Sequence, residues 1–122
     1  MAPALVFLID AVLVVVFSAF GRGAHSEGLG AAQVWGTAWP FLLALIVGWG
    51  IVAATRRAPT AVSTGVLLWA VTLAGGMTIR GIAEGRVPHW SFILVAGSVT
   101  ALFLIGWRAV AGVVGHRRAQ AG

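Results

Sequence analysis

Four apolar blocks follow one another along the chain, separated by short segments rich in glycine, arginine and proline. A bilayer core of about 30 Å asks for about 20 largely apolar residues per crossing helix. The pattern therefore predicts four transmembrane helices, over residues 4–20, 40–54, 61–79 and 90–114. Pro3 suits the opening turn of the first, where its missing N–H is not needed. The second is short, opens at Pro40 and is stopped by Arg56 and Arg57. Pro59 then closes a turn so tight that the second and third helices must be antiparallel neighbours. Arg80 marks the exit of the third. The fourth is longer than one crossing needs, so Trp107 and Arg108 fall inside it and tilt absorbs the excess. Residues 21–37 and 81–89 are too polar to insert and read as surface loops, with Trp35 and Trp39 at headgroup level. The predicted fold class is an all-α membrane protein, one integral domain over residues 1–122, built as an antiparallel bundle of four helices with short loops.

Composition agrees. Of 122 residues, 60% are hydrophobic and only 9% charged, with a mean hydropathy of +1.00, so the solvent this chain suits is the bilayer. The formal net charge of +5 changes little, because the arginines sit at the ends of the apolar blocks rather than along one face, which argues against nucleic acid as a partner. No cysteine is present, which excludes disulfides, thiolate catalysis and cysteine-ligated metals. The first block lacks a preceding basic residue and contains Asp10, so it reads as a mature helix rather than a signal peptide. Four crossings put both termini and the Arg56-Arg57 turn on one side. Arg56, Arg57, Arg108, Arg117 and Arg118 lie there, against Arg22, Arg80 and Arg86 on the other, together with Glu27 and Glu84. This asymmetry places the chain in the cell membrane with both termini cytoplasmic, an inverted or dual topology being the alternative.

The sharpest chemical signal is Asp10, a carboxylate inside a hydrocarbon-length run. An aspartate at the centre of an inserted helix costs roughly 2.5 to 3.5 kcal/mol, so it needs a partner, a watery cavity or a proton. At about 1.5 Å of rise per residue, Asp10 lies about 9 Å inside the terminal-side end of its helix, and Arg108 lies at a similar depth in the fourth. An intramembrane charge pair, Asp10 with Arg108, is therefore expected; the plainer reading is a protonated Asp10 bonded to a hydroxyl or carbonyl of a neighbouring helix. Arg22, His25 and Arg80 flank helix exits on the opposite side and form a candidate site for an anion or lipid headgroup, with solvation or lipid contact as the ordinary alternative. His25, Glu27, Glu84 and His89 share that side and are the weak candidates for a metal, since imidazole and carboxylate suit zinc, iron or manganese; ordinary charged loops are the plainer account. No glycine-rich phosphate loop with lysine, no nucleophile with its base and no second intramembrane aspartate is present, so no enzyme signature and no cofactor are read.

Asp10 with Gly21-Arg22 and His25, then Trp39-Pro40-Phe41 and Gly48-Trp49, Gly76-Met77 and Arg80, and finally Ser91-Phe92 and Gly106-Trp107-Arg108 together resemble a family of small prokaryotic membrane proteins known as a domain of unknown function, number 3054. The resemblance covers nearly the whole chain and implies four membrane crossings, without implying an activity. Two functions are open to such a chain. One is a small proton-linked transporter or channel that uses Asp10, which would then be titratable and reached by water. The other is a non-transporting membrane subunit or scaffold that binds lipid or a protein, in which Asp10 would be paired and buried. Ala44 with Gly48, Gly97 with Ala101, and Ala111 with Gly115 are small residues four apart, suited to close helix packing within the chain or in a homodimer. Beyond the lipid bilayer and a second copy, no motif names a solute or protein partner. Cysteines placed singly at Ala58 and Gln120 should be shielded from an impermeant thiol reagent in intact cells, and cysteines at Ser26 and Gly85 labelled; strong labelling at Ala58 would reverse the orientation.

Overall fold

The computed structural model describes residues 2–24, 31–87 and 90–121, and the side chains of 2–19, 34–87 and 90–115. The described residues form four α-helices and no strand: α1 (Pro3–Ala24), α2 (Ala31–Ala54), α3 (Val62–Glu84) and α4 (Trp90–Ala121). Three carry stretches long and apolar enough to cross a membrane, Val34–Ala54, Val62–Glu84 and Trp90–Gly115, and α1 adds the shorter apolar stretch Pro3–Ala19. Each helix packs on two others, α1 on α2 and α4, and α3 on α2 and α4, which makes a square up-and-down bundle.

The helices are longer than the apolar blocks that announce them. The α2 helix begins at Ala31, ahead of the start expected at Pro40, which lies buried in its interior. A proline forfeits only the bond to the carbonyl four residues back, and a membrane helix tolerates that where neighbouring structure supports the backbone. Residues 31–37, expected in a loop, are therefore helical, and Trp35 and Trp39 stand on the first turns of α2. Residues 21–24 likewise extend α1. The α3 helix runs past Arg80 to Glu84, where Gly85 adopts φ 70° and the N–H groups of Gly85 and Arg86 bond back to the Ile82 and Gly81 carbonyls. The α2 helix ends by the same device, with Arg56 and Arg57 bonding back to Ala53 and Val52, but Arg56 fills the left-handed position at φ 56° where glycine is the usual occupant. With no breaker between Gly115 and Ala121, α4 carries its helix past the expected end at residue 114 and through the basic segment that follows.

Two buried hydroxyls in the spans are satisfied locally, whereas that of Thr72 on α3 has no hydrogen-bond partner among the described residues. Ser18 donates to the Val14 carbonyl at 3.0 Å, and Thr100 donates to that of Ala96, each one turn back, so neither leaves an orphan in the bundle. The Trp69 indole instead crosses to α4 and donates to the Gly97 carbonyl at 2.9 Å. The core holds Val14, Phe17, Phe41, Leu45, Val52, Leu68 and Ala96. At the end away from the termini, Phe17 meets Phe41 edge to face at 5.4 Å between ring centres, and Phe92 joins both at 6.5 and 6.3 Å. Phe41 occupies the space a side chain on α3 would take: a Cβ at Gly76 would lie 2.2 Å from its ring. Ala44 and Gly75 make the α2–α3 contact one turn on, where a Cβ on Gly75 would stand 2.8 Å from that of Ala44. Gly48 faces Leu68 and Val71, so the Ala44–Gly48 pair serves packing inside the chain.

Gly76→Ala should therefore lower stability by about 1 to 3 kcal/mol through overpacking against Phe41. Gly50→Ala, which meets nothing within 4 Å, should be neutral or slightly stabilising, by up to about 1 kcal/mol. Thermal unfolding in detergent of the two variants reports the difference.

Candidate functional site

Asp10 is fixed by the helix that carries it. Val6, Asp10, Val14 and Phe17 recur at helical spacing on α1 and are all buried, so the carboxylate points into the bundle with the core residues. Arg108 sits on the face of α4 that carries Ala96, Thr100 and Leu104, also buried at spacings of four. Both charged side chains are 0% exposed. They meet in a two-pronged pair: Nη1 donates to Oδ1 at 2.9 Å and Nη2 to Oδ2 at 2.8 Å. This fork-to-fork geometry is the strongest way to match a guanidinium to a carboxylate.

Two indoles complete the carboxylate's shell. Trp49 of α2 donates from Nε1 to Oδ2 at 3.0 Å, and Trp107 of α4 donates from Nε1 to Oδ1 at 3.0 Å. Each oxygen thus accepts one guanidinium N–H and one indole N–H. All four groups facing Asp10 are donors, which is the surrounding a carboxylate requires and a carboxylic acid would not. The arginine is equally engaged: Nε donates to the Pro59 carbonyl at 2.9 Å and Nη1 to the Leu104 carbonyl at 2.9 Å. Its guanidinium carbon also lies 4.8 Å from the centre of the Trp107 ring, and the Trp49 ring packs edge-on against Phe7 at 5.9 Å.

The turn between α2 and α3 is part of the same assembly. Thr64 donates to the Ala58 carbonyl at 2.7 Å and the Ala61 N–H donates to it at 3.2 Å, which holds Pro59 with its carbonyl toward Arg108. Gly65 supplies the room, since a Cβ there would stand 2.9 Å from both the Arg108 Cδ and the Leu104 carbonyl oxygen. One polar cluster therefore draws on all four helices: Asp10 from α1, Trp49 from α2, Gly65 from α3, and Trp107 with Arg108 from α4.

The other residues singled out in the sequence fare differently. Arg80 turns inward, its guanidinium carbon 4.4 Å from the centre of the Phe92 ring and its Nε 3.4 Å from Glu84. Its proposed companions are not placed: Arg22 belongs to α1 but its side chain, and all of His25, lie outside the described residues. Of the metal candidates His25, Glu27, Glu84 and His89, only Glu84 is described, and it pairs with Arg80 and, at 3.9 Å, with Arg86. Among the described residues no group of three histidine or acidic side chains could hold a metal. Sequence reasoning missed Trp49 and Trp107 as ligands of Asp10, although both indoles lie inside spans, where each N–H must find an acceptor, at the depth of the one intramembrane carboxylate.

These features define a class: a helical membrane bundle of four antiparallel spans closed around an internal ion pair. The chain belongs to the family described as protein of unknown function (DUF3054), whose model matches residues 7–111 and so takes in Asp10, Trp49, Trp107 and Arg108. No curated protein and no solved structure matches the chain.

Removing one partner of a buried pair leaves the other charge desolvated and alone, at a cost on the order of 3 to 5 kcal/mol. Asp10→Asn should thus destabilise the bundle by that order, and more than the double change Asp10→Asn with Arg108→Gln. Melting curves of the two single variants and the double variant, measured in one detergent, give the coupling; a double variant as unstable as the sum of the singles would contradict it.

Proposed function

We propose that this membrane protein does not move protons through Asp10, and instead serves as a small membrane subunit or scaffold that binds lipid or a protein partner. The observation that carries this is the closed shell around Asp10. A proton carrier needs a carboxylate that water reaches and that can exchange its proton during the cycle. Asp10 is 0% exposed and each of its oxygens already accepts two N–H donors. A proton placed on either oxygen would displace one of the N–H donors that link α1 to α2 or α4. The competing reading, a proton-linked transporter working through Asp10, requires that opening in every cycle. In the proposed role the ion pair fixes which helices are neighbours and at what depth, a use of buried charge for specificity rather than for chemistry. With both termini cytoplasmic, the pair would lie toward the cytoplasmic leaflet.

Reconstitution into liposomes containing a pH-sensitive dye tests the proposal. Under an imposed proton gradient, vesicles with the protein should show no proton flux above empty vesicles that depends on Asp10. A flux that Asp10→Asn abolishes while helical content and melting stay those of the unsubstituted protein would overturn it.

A further inference from the structure

Where α3 ends and α4 begins, the two helices leave a crevice of about 510 Å³ that opens on the outer surface of the bundle, within the range of about 300 to 1,000 Å³ that ligand pockets occupy. Met77, Gly81 and Ile82 of α3 and Ile93 of α4 form its apolar walls, and Val87 and Arg86 stand at its rim. The level is that of headgroups: α3 is 23 residues long, about 34 Å at 1.5 Å per residue, against a hydrocarbon core of about 30 Å, and Arg86 follows two residues after it. Two observations at this rim point to an occupant with an anionic head and an apolar body. Val87 and Ile82 are the most exposed large apolar side chains among the described residues, at 84% and 78%, and they flank the opening where polar residues would be expected. Charge is unbalanced beside them. Glu84 is a single carboxylate set between two guanidiniums, 3.4 Å from Arg80 and 3.9 Å from Arg86. Arg80 is folded over Phe92 and committed to the bundle, whereas the Arg86 side chain is 80% exposed and only loosely held by Glu84. Among the described residues one positive charge is left over here, and it belongs to Arg86.

We propose that this crevice binds one anionic glycerophospholipid, its phosphate on the Arg86 guanidinium and the upper part of an acyl chain between Ile82, Val87 and Ile93. The proposal rests on the lipid-binding reading above and makes it specific. Arginine offers a phosphate two parallel N–H donors, and an anionic headgroup neutralises the surplus charge, which a zwitterionic headgroup, carrying its own cation, does not.

Native mass spectrometry of the full chain in mild detergent, with equimolar phosphatidylglycerol and phosphatidylcholine, tests it. The unsubstituted protein should retain a single phosphatidylglycerol in preference to phosphatidylcholine. Arg86→Gln should reduce that preference roughly fivefold with unchanged melting, and Ile93→Trp, which fills the crevice, should reduce retention of both lipids. Arg57→Gln, at the opposite end of the bundle, should leave the preference intact. The proposal fails if Arg86→Gln keeps the full preference, or if Arg57→Gln lowers it as much, which would indicate a diffuse charge effect. It also fails if the crevice proves to be covered by a second copy, seen as a dimer that excludes lipid and dissociates in Ile93→Trp. Proton flux through Asp10 is read in a separate assay, so loss of the lipid preference and failure of the non-transporting reading are distinguishable.

Discussion

The bundle depends on one carboxylate that the bilayer cannot solvate. Once Asp10 lies inside a span, the favourable arrangements are those that bring donors to it, and its shell holds four, from α2 and α4. Because a guanidinium and two indoles approach it from different helices, the cluster sets the order of helices around the square and their relative depth at the same time. Apolar packing alone would do this weakly, since lipid tails are as apolar as the side chains that pack and give no hydrophobic drive for helices to associate. The Arg108 bond to the Pro59 carbonyl completes the arrangement by tying the α2–α3 turn to α4.

The opposite end of the bundle is held by shape instead of charge. Phe17, Phe41 and Phe92 interlock, and Gly76 gives up its side chain so that Phe41 can lie against α3. Arg80 belongs to this end too, spending its charge on the face of Phe92 and on Glu84. The two ends therefore differ in kind. One is a fully satisfied polar cluster, in which any missing member leaves a buried group without its partner. The other is a jigsaw of rings and small residues, sensitive to added volume.

This division bears on what the protein can do. An acid that must load and unload protons works where water arrives and where its hydrogen bonds are few enough to exchange. Asp10 has the opposite setting, and the residues that close it are those that assemble the helices. Exposed charge and exposed apolar surface lie elsewhere, at the rim where Arg86 stands beside Ile82 and Val87 at the end of α3.

The sequence by itself determined the class of protein, four apolar spans in an antiparallel bundle, because hydrocarbon thickness sets segment length and short connections force neighbours to alternate. It also placed Asp10 and Arg108 at matching depth, since the rise of a helix converts residue number into distance. Helix ends were less legible. Pro40 was read as a start, yet α2 begins at Ala31, because a proline removes one backbone bond and need not end a helix whose neighbours support it. The indole bonds from Trp49 and Trp107, the turn carbonyl of Pro59 and the clearance at Gly65 depend on how four helices rotate about their axes, and no count along one chain carries that information. Rotation is a property of packing, so only the tertiary structure decided which donors face Asp10, and with them whether the carboxylate is sealed or reachable.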